Sequence, residues 1–187
     1  MTGEIAGRLR DLPDKSAAAL IIKIDDYLDA MRATLDTFIV EKDLSAIYIT
    51  STIPSQSITN VLNILEIDLK RIFFVDCISQ IMMGTAVRAE NVYFVESPTM
   101  LENIMLKVEF LMRSIEGKKL VLLDSINSLA IHNNIKILSE FLHIMVNNLR
   151  AKEAYTLILS VEEQSNEDIN NMLGLICDEL VNLAEDK

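Results

Sequence analysis

The chain has 187 residues, half of them hydrophobic (50%), and a formal net charge of -11. This length allows one domain with a sizeable core and does not comfortably allow two. A strongly negative chain repels a phosphate backbone, so we expect no nucleic acid partner.

Cysteine usage and hydropathy indicate where the protein works. Cys77 and Cys177 lie far apart in apolar surroundings, which excludes a CxxC site and a dense disulfide framework. No apolar run approaches the roughly 20 residues of a membrane helix, and the N-terminus has no apolar signal-peptide centre. We therefore expect a cytoplasmic protein with reduced cysteines and no membrane contact.

Short apolar runs follow a polar N-terminal arm at residues 1–15. They predict strands at residues 17–24, 45–51, 71–76, 91–97, 119–124, 155–161 and 178–183. The runs are continuous rather than alternating, as is typical of strands that are covered on both faces in a parallel sheet.

Helical patterns lie between these runs. Apolar residues recur at spacings of three and four over residues 28–39, 58–65, 101–115 and 135–149, and a further helix is predicted to begin at Ser165 with Asp168 completing a capping box. Alternating strands and helices imply right-handed crossovers. The sequence thus predicts a single α/β domain over residues 16–187, a three-layer sandwich with a mainly parallel central sheet.

The glycines decide whether the chain can hold a triphosphate in the usual way. A phosphate-binding loop, G-x-x-x-x-G-K-[ST], needs glycines so that backbone N–H groups can curl around the phosphates. None of the five glycines has the required partner five residues away, and only Gly117 is followed by lysine. The motifs G-x-G-x-x-G and G-x-S-x-G are absent as well.

The order of elements from about residue 12 to residue 183 nevertheless resembles the KaiC-like branch of the RecA-type ATPases. The segment "LPDKS" (12–16) is similar to the "IPRGS" that precedes the family's first strand. The segment "KKLVLLDSINSLA" (118–130) is similar to the family's Walker B segment, "RVVIDSVTAL". The resemblance implies a RecA/KaiC-like fold in which Asp124 and Ser125 are a vestigial Walker B site.

Two catalytic parts of the family pattern are missing. The first strand passes from Ile24 through Asp25 and Asp26 directly into a helix, where the family has its glycine-rich loop. After "SAIYITST" (45–52), Thr52 and its neighbours stand where the family has a catalytic glutamate, and a hydroxyl cannot serve as that base. Without the glycine-rich phosphate loop, its lysine and the catalytic glutamate, nothing supplies the ~8 kcal/mol by which even a modest enzyme lowers the activation free energy. We expect a degenerate member that is not an enzyme and has no cofactor, although the residues leave nucleotide binding without hydrolysis open.

Asp124 therefore has two interpretations. It is either a structural acid that caps the helical turn near Ser125 or a working metal ligand. His132 and His143 have no cysteine or acid at ligand spacing, so we expect no metal site there.

The loop "TSTIPSQS" (50–57) is the other candidate site. It places the hydroxyls of Thr52, Ser55 and Ser57 at the carboxyl end of a strand, where open α/β sheets bind ligands. It is either a turn that caps the next helix or a ligand loop that lines a pocket with Asp76 and "ESPT" (96–99).

These observations favour a non-catalytic pseudo-ATPase that acts as a regulatory, sensory or scaffolding module through protein contacts. The resemblance implies a homo-oligomer or a mixed assembly with active relatives. The alternative is a small-ligand or nucleotide sensor that binds at the carboxyl ends of the strands without hydrolysis.

Overall fold

A computed structural model of the chain describes residues 1–84 and 88–184. Within them, seven strands form one sheet in the order β4-β3-β2-β5-β6-β1-β7, and each pair of neighbours is parallel. The strands are β1 Ala17–Ile22, β2 Leu44–Thr50, β3 Ile72–Asp76, β4 Val92–Phe94, β5 Lys118–Asp124, β6 Tyr155–Val161 and β7 Glu179–Asn182. Each predicted strand is present, and the prediction of an α/β sandwich is confirmed.

Helices cover both faces of this sheet. They are α1 Thr2–Arg10, α2 Tyr27–Arg32, α3 Ile39–Glu41, α4 Ser55–Ile64, α5 Ser79–Met83, α6 Leu101–Ser114, α7 Ile126–His132, α8 Ile135–Ala151 and α9 Glu167–Ile176. A π-helical turn, Ala33–Phe38, joins α2 to α3, so residues 27–41 form one continuous helical segment. None of the helices in the described part of the chain is both long and apolar enough to cross a membrane.

The sheet separates two apolar clusters, which explains why the strand sequences are continuously apolar. Ala18 and Leu20 of β1 belong to the cluster beneath α1 to α4, whereas Ala17 and Ala19 belong to the cluster beneath α6 to α9. Because successive side chains of a strand point to opposite faces, both sets must be apolar when both faces are covered.

The start of α9 differs from the predicted capping box. Asn166, not Ser165, is the cap, and its side chain accepts a hydrogen bond from the N–H of Ile169 at 3.0 Å. Ser165 is instead within 2.8 Å of the side-chain oxygen of Asn170. Asn166 is the last extended residue before the helix, so its side chain faces the free N–H groups of the first turn.

Residues 1–15, which we expected to be an arm outside the domain, contribute to its core. They contain α1, whose Ile5 and Leu9 are 0% exposed and belong to the same apolar cluster as β1. The helix therefore covers apolar surface that the sheet and α2 would otherwise expose.

We expect Leu9→Ala to lower the free energy of unfolding by about 2–5 kcal/mol, because it removes buried methyl groups and leaves a cavity. The matched control is Leu175→Ala in α9, where the leucine is 79% exposed and the same change should stay within about 0.5 kcal/mol. Urea unfolding of both variants measures the difference. Equal small effects would show that α1 does not stabilise the domain.

Candidate functional site

The centre of the candidate site is a buried carboxylate at the middle of the sheet. Asp124 is the last residue of β5, which lies between β2 and β6, and is 1% exposed. Its oxygen Oδ2 accepts hydrogen bonds from the hydroxyls of Tyr27 and Tyr48, each at 2.5 Å. The carboxylate is thus held by two tyrosines from different elements.

The short connection after β1 brings one of these tyrosines to the acid. Only the residues from Lys23 to Asp26 separate β1 from α2, and Tyr27 is the first residue of α2. Tyr48 lies on β2, opposite Leu122 of β5, so its ring runs along the sheet toward the end of β5. A long phosphate loop at this point would place the start of α2 elsewhere, and Tyr27 would not reach Asp124.

Electrostatics favour the protonated hydroxyls. Burial raises the pKa of Asp124, and the hydrogen bonds from the two tyrosines lower it, with a net shift upward. Burial and the nearby charge of Asp124 raise the pKa of both Tyr27 and Tyr48 above the ordinary range of a tyrosine. Both tyrosines therefore stay donors, and both of their hydrogen bonds are made to Oδ2.

Ser125 is the helix cap, one of the two roles that the sequence left open for Asp124. It is the cap of α7, and its side chain accepts a hydrogen bond from the N–H of Ser128 at 3.3 Å. The helix cap is therefore Ser125 rather than Asp124. Among residues 1–84 and 88–184, no three His, Cys, Asp or Glu side chains cluster in a way that could hold a metal ion.

The loop after β2 is tied to the end of β5. The N–H of Ser51 donates to the carbonyl oxygen of Asp124 at 2.9 Å, and the hydroxyl of Ser128 donates to the carbonyl oxygen of Ser51 at 2.6 Å. The hydroxyl of Thr52 lies 3.3 Å from that of Ser125. These bonds fix the hydroxyl-rich loop against the end of β5 and the start of α7.

The turn between β1 and α2 carries negative charge. The N–H of Ile24 points at the carboxylate of Glu163, with distances of 3.1 and 3.3 Å to the two oxygens. Glu163 comes from the short turn after β6, and Asp25 and Asp26 belong to the Ile24 turn itself. In the family that the sequence resembles, this end of the first strand holds phosphates. Here the carboxylate of Glu163 accepts the backbone N–H of Ile24.

Asp76 is a second buried acid, at the end of β3. Oδ2 accepts bonds from the N–H of Ser55 at 2.8 Å and the hydroxyl of Ser79 at 2.6 Å, and Oδ1 accepts from the N–H groups of Ile78 and Ser79 at 3.0 and 2.9 Å. Burial raises the pKa of Asp76, but the hydrogen bonds from Ser55 and Ser79 outweigh it and the net shift is downward. This carboxylate holds the starts of α4 and α5 in place.

The hydroxyls of the predicted ligand loop lie on different surfaces. Ser55 lines a cleft of about 250 Å³ with both polar and apolar residues, among them Ser79, Arg88 and Phe94, whereas Ser57 lines a separate apolar groove with Tyr27. Thr52 contacts Ser125, as described above. The structure therefore does not gather the three hydroxyls into one pocket.

The segment at residues 96–99 lies apart from that cleft. Glu96 lines a different cleft with Lys107 and Phe110, and the hydroxyls of Ser97 and Thr99 are 2.8 Å from each other. Of the groups proposed to accompany the loop, only Asp76 lies beside it.

Sequence reasoning missed Tyr27, Tyr48 and Glu163. Tyr48 carries a hydroxyl within an apolar strand, and buried tyrosines usually have a hydrogen-bond partner, so this residue could have been noticed. Its partner could not, because β2 and β5 are neighbours only in the folded sheet. Nothing in the local sequence distinguishes Glu163 from other surface acids.

The parallel sheet and its flanking helices have a RecA/KaiC-like α/β fold, as comparison with solved structures shows. A KaiC-like protein from Pyrococcus horikoshii OT3 matches with a TM-score of 0.62 and 13% identity, over 90% of this chain and 71% of its own. The flagellar accessory protein FlaH from Methanocaldococcus jannaschii matches with a TM-score of 0.63 and 11% identity, over 95% and 75%. An uncharacterized protein from Pyrococcus horikoshii, solved in complex with an unknown peptide, matches with a TM-score of 0.71 and 11% identity, over 95% and 81%.

Residues 18–187 match the model of a protein family described as a family of unknown function, DUF7090. The chain belongs to this family. No curated protein sequence matches the chain significantly.

The two buried acids should affect the pH dependence of stability in opposite directions. The pKa of Asp124 is raised on folding, so its contribution is fully present below the unfolded value of about 3.9 and is lost as pH rises through the folded value. The pKa of Asp76 is lowered, so its contribution is present above about 3.9 and is lost as pH falls through the folded value.

We therefore expect the stability advantage of the wild type over Asp124→Asn to shrink as pH rises, and its advantage over Asp76→Asn to shrink as pH falls. At neutral pH, Asp76→Asn should cost about 1.5–3 kcal/mol or more, because an amide nitrogen faces donors that the carboxylate accepted. Urea unfolding of the three proteins across the acid range measures both trends. Slopes of the same sign would contradict the assignment.

Proposed function

We propose that this protein is a non-catalytic RecA/KaiC-type domain, a pseudo-ATPase that acts as a regulatory, sensory or scaffolding module through protein contacts. The observation that carries the proposal is the pair of hydrogen bonds from Tyr27 and Tyr48 to Asp124. In an ATPase of the resembled family this acid serves the Mg²⁺ of the nucleotide. Here tyrosine hydroxyls bind it inside the protein.

Charge around the site supports the same proposal. Phosphoryl transfer depends on groups that neutralise the charge of the phosphates, mainly backbone N–H groups, a lysine and Mg²⁺. The equivalent strand end here presents Asp25 and Glu163, and the N–H of Ile24 donates to Glu163. A nucleotide triphosphate would have to displace a carboxylate and enter a field of its own sign.

Exposed apolar side chains support a role in protein contacts. Several helices carry large apolar residues at more than half exposure, among them Ile64 at 80%, Leu106 at 60% and Ile137 at 57%. A structurally similar protein was solved in complex with an unknown peptide, which fits the use of this fold as a binding surface. The partner we propose is another protein, either a second copy or a different chain.

The proposal also includes a cytoplasmic site of action without nucleic acid or membrane partners. A net charge of -11 opposes nucleic acid binding. Cys77 and Cys177 are free thiols, as is usual for proteins in a reducing compartment.

We expect no release of phosphate from Mg²⁺-ATP above a protein-free blank, and the same result for Asp124→Asn and Tyr27→Phe. Tyr27→Phe removes one of the two hydroxyls that donate to Asp124. It does not supply the missing phosphate-loop motif, so it should not create activity. An active KaiC-like ATPase in the same assay is the positive control. Hydrolysis by the wild type that disappears in Asp124→Asn would overturn the proposal.

A second candidate, a small-ligand sensor, is favoured by the cleft beside Ser55. This cleft has a volume of about 250 Å³ and combines hydroxyls and amides with the guanidinium of Arg88. A thermal-shift screen with nucleotides and small carboxylates or phosphates tests it. A shift that Arg88→Ala abolishes would support the sensor, and an unchanged melting temperature across the screen would count against it.

A further inference from the structure

A groove lies between α6 and α8 on the face of the sheet opposite α1 to α4. Its volume is about 290 Å³, and its walls include Met105, Ile137, Phe141 and Ile144 together with the acids Glu102 and Glu140. It is separate from Asp124 and from the cleft beside Ser55.

The spacing of the two helices produces this groove. Helix α6 packs over β2 and β3, whereas α8 packs over β6, so the surface between them lies above β5. Both helices connect one parallel strand to the next, so both run against the strand direction and in the same direction as each other. The groove therefore lies between two helices that run side by side and is open to solvent.

Helix α8 carries more apolar surface than its own packing requires. Leu138, Leu142 and Met145 form its buried stripe against the sheet. Two further apolar residues, Ile137 and Ile144, flank the buried Phe141 on the groove side, and each is 57% exposed. A helix needs only its buried face in order to pack against a sheet, so these exposed isoleucines indicate a binding surface.

Charge identifies the kind of partner. Both titratable residues that line the groove are acids, Glu102 and Glu140, and the whole chain carries a net charge of -11. A second copy of this chain would set acids against acids, whereas a cationic partner is attracted both at a distance and in the groove. The partner should therefore present lysines or arginines beside its apolar residues.

Size and shape select a helix. Small-molecule pockets bury most of the ligand, whereas this groove is open to solvent along one side. Two neighbouring helices with apolar walls form the surface that binds an amphipathic helix through residues at i, i+3, i+4 and i+7. We propose that the α6/α8 groove binds a basic amphipathic helix of a partner protein. This inference rests on the proposed function in protein contacts and names its surface and the chemistry of its partner.

A pair of synthetic peptides tests the proposal. Each is a labelled amphipathic helix of about 18 residues with leucines at helical spacing, flanked by lysines in one peptide and by glutamates in the other. Fluorescence anisotropy with the full chain should show at least tenfold tighter binding of the lysine peptide, weakened by added salt. Ile144→Asp should reduce this binding tenfold or more, and the matched control Leu175→Asp on α9 should leave it unchanged.

Charge exchange provides the specific readout. The double variant Glu102→Lys and Glu140→Lys should reverse the preference, so that the glutamate peptide binds more tightly. All substituted side chains are exposed, and circular dichroism with urea unfolding checks that each variant keeps its fold.

Several results would overturn the assignment. They are no binding of the lysine peptide, binding that Ile144→Asp does not weaken, or a preference that the double variant does not change. Self-association in sedimentation that Ile144→Asp abolishes would assign the groove to a second copy instead. If any of these results occurs while ATP hydrolysis is absent, the assignment of the groove is wrong but the proposed non-catalytic function is not contradicted.

Discussion

A carboxylate buried in the middle of a parallel sheet is unfavourable unless donors surround it, and Asp124 is in that situation. Its donors come from β2 and from the first residue of α2, so the hydrogen bonds connect the central strand to a neighbouring strand and to a helix on one face. This arrangement requires α2 to begin close to the end of β1. The short β1–α2 connection therefore places Tyr27 beside Asp124, and together with Tyr48 it gives the acid hydrogen-bond donors from within the protein.

The comparison of Asp124 with Asp76 shows how the kind of donor decides the behaviour of a buried acid. Three backbone N–H groups and a hydroxyl surround Asp76, and its pKa falls despite burial. Two hydroxyls donate to one oxygen of Asp124, and burial outweighs them, so its pKa rises. Asp76 is consequently an ionised anchor for two helix starts, whereas the ionised form of Asp124 is disfavoured.

The strand ends and the helix surfaces of this protein differ in character. The strand ends that would receive a nucleotide hold carboxylates and tyrosines that bond to one another, and the turn after β1 is acidic. The helices, in contrast, expose apolar side chains that their own packing does not use, most clearly Ile137 and Ile144 on α8.

The sequence by itself determined the strands, most of the helices and the absence of a phosphate loop, because these depend on local patterns. Continuous apolar runs require strands that are covered on both faces, and motif spacing is read directly from the chain. Details that depend on one side chain were less secure, as the cap at Asn166 in place of Ser165 shows. Only the tertiary structure decided what binds Asp124, since Tyr27 and Tyr48 are 97 and 76 positions away from it in the chain. The distribution of Ser55 and Ser57 over two surfaces and the groove between α6 and α8 were decided in the same way, because the order of strands in the sheet sets which helices and loops become neighbours.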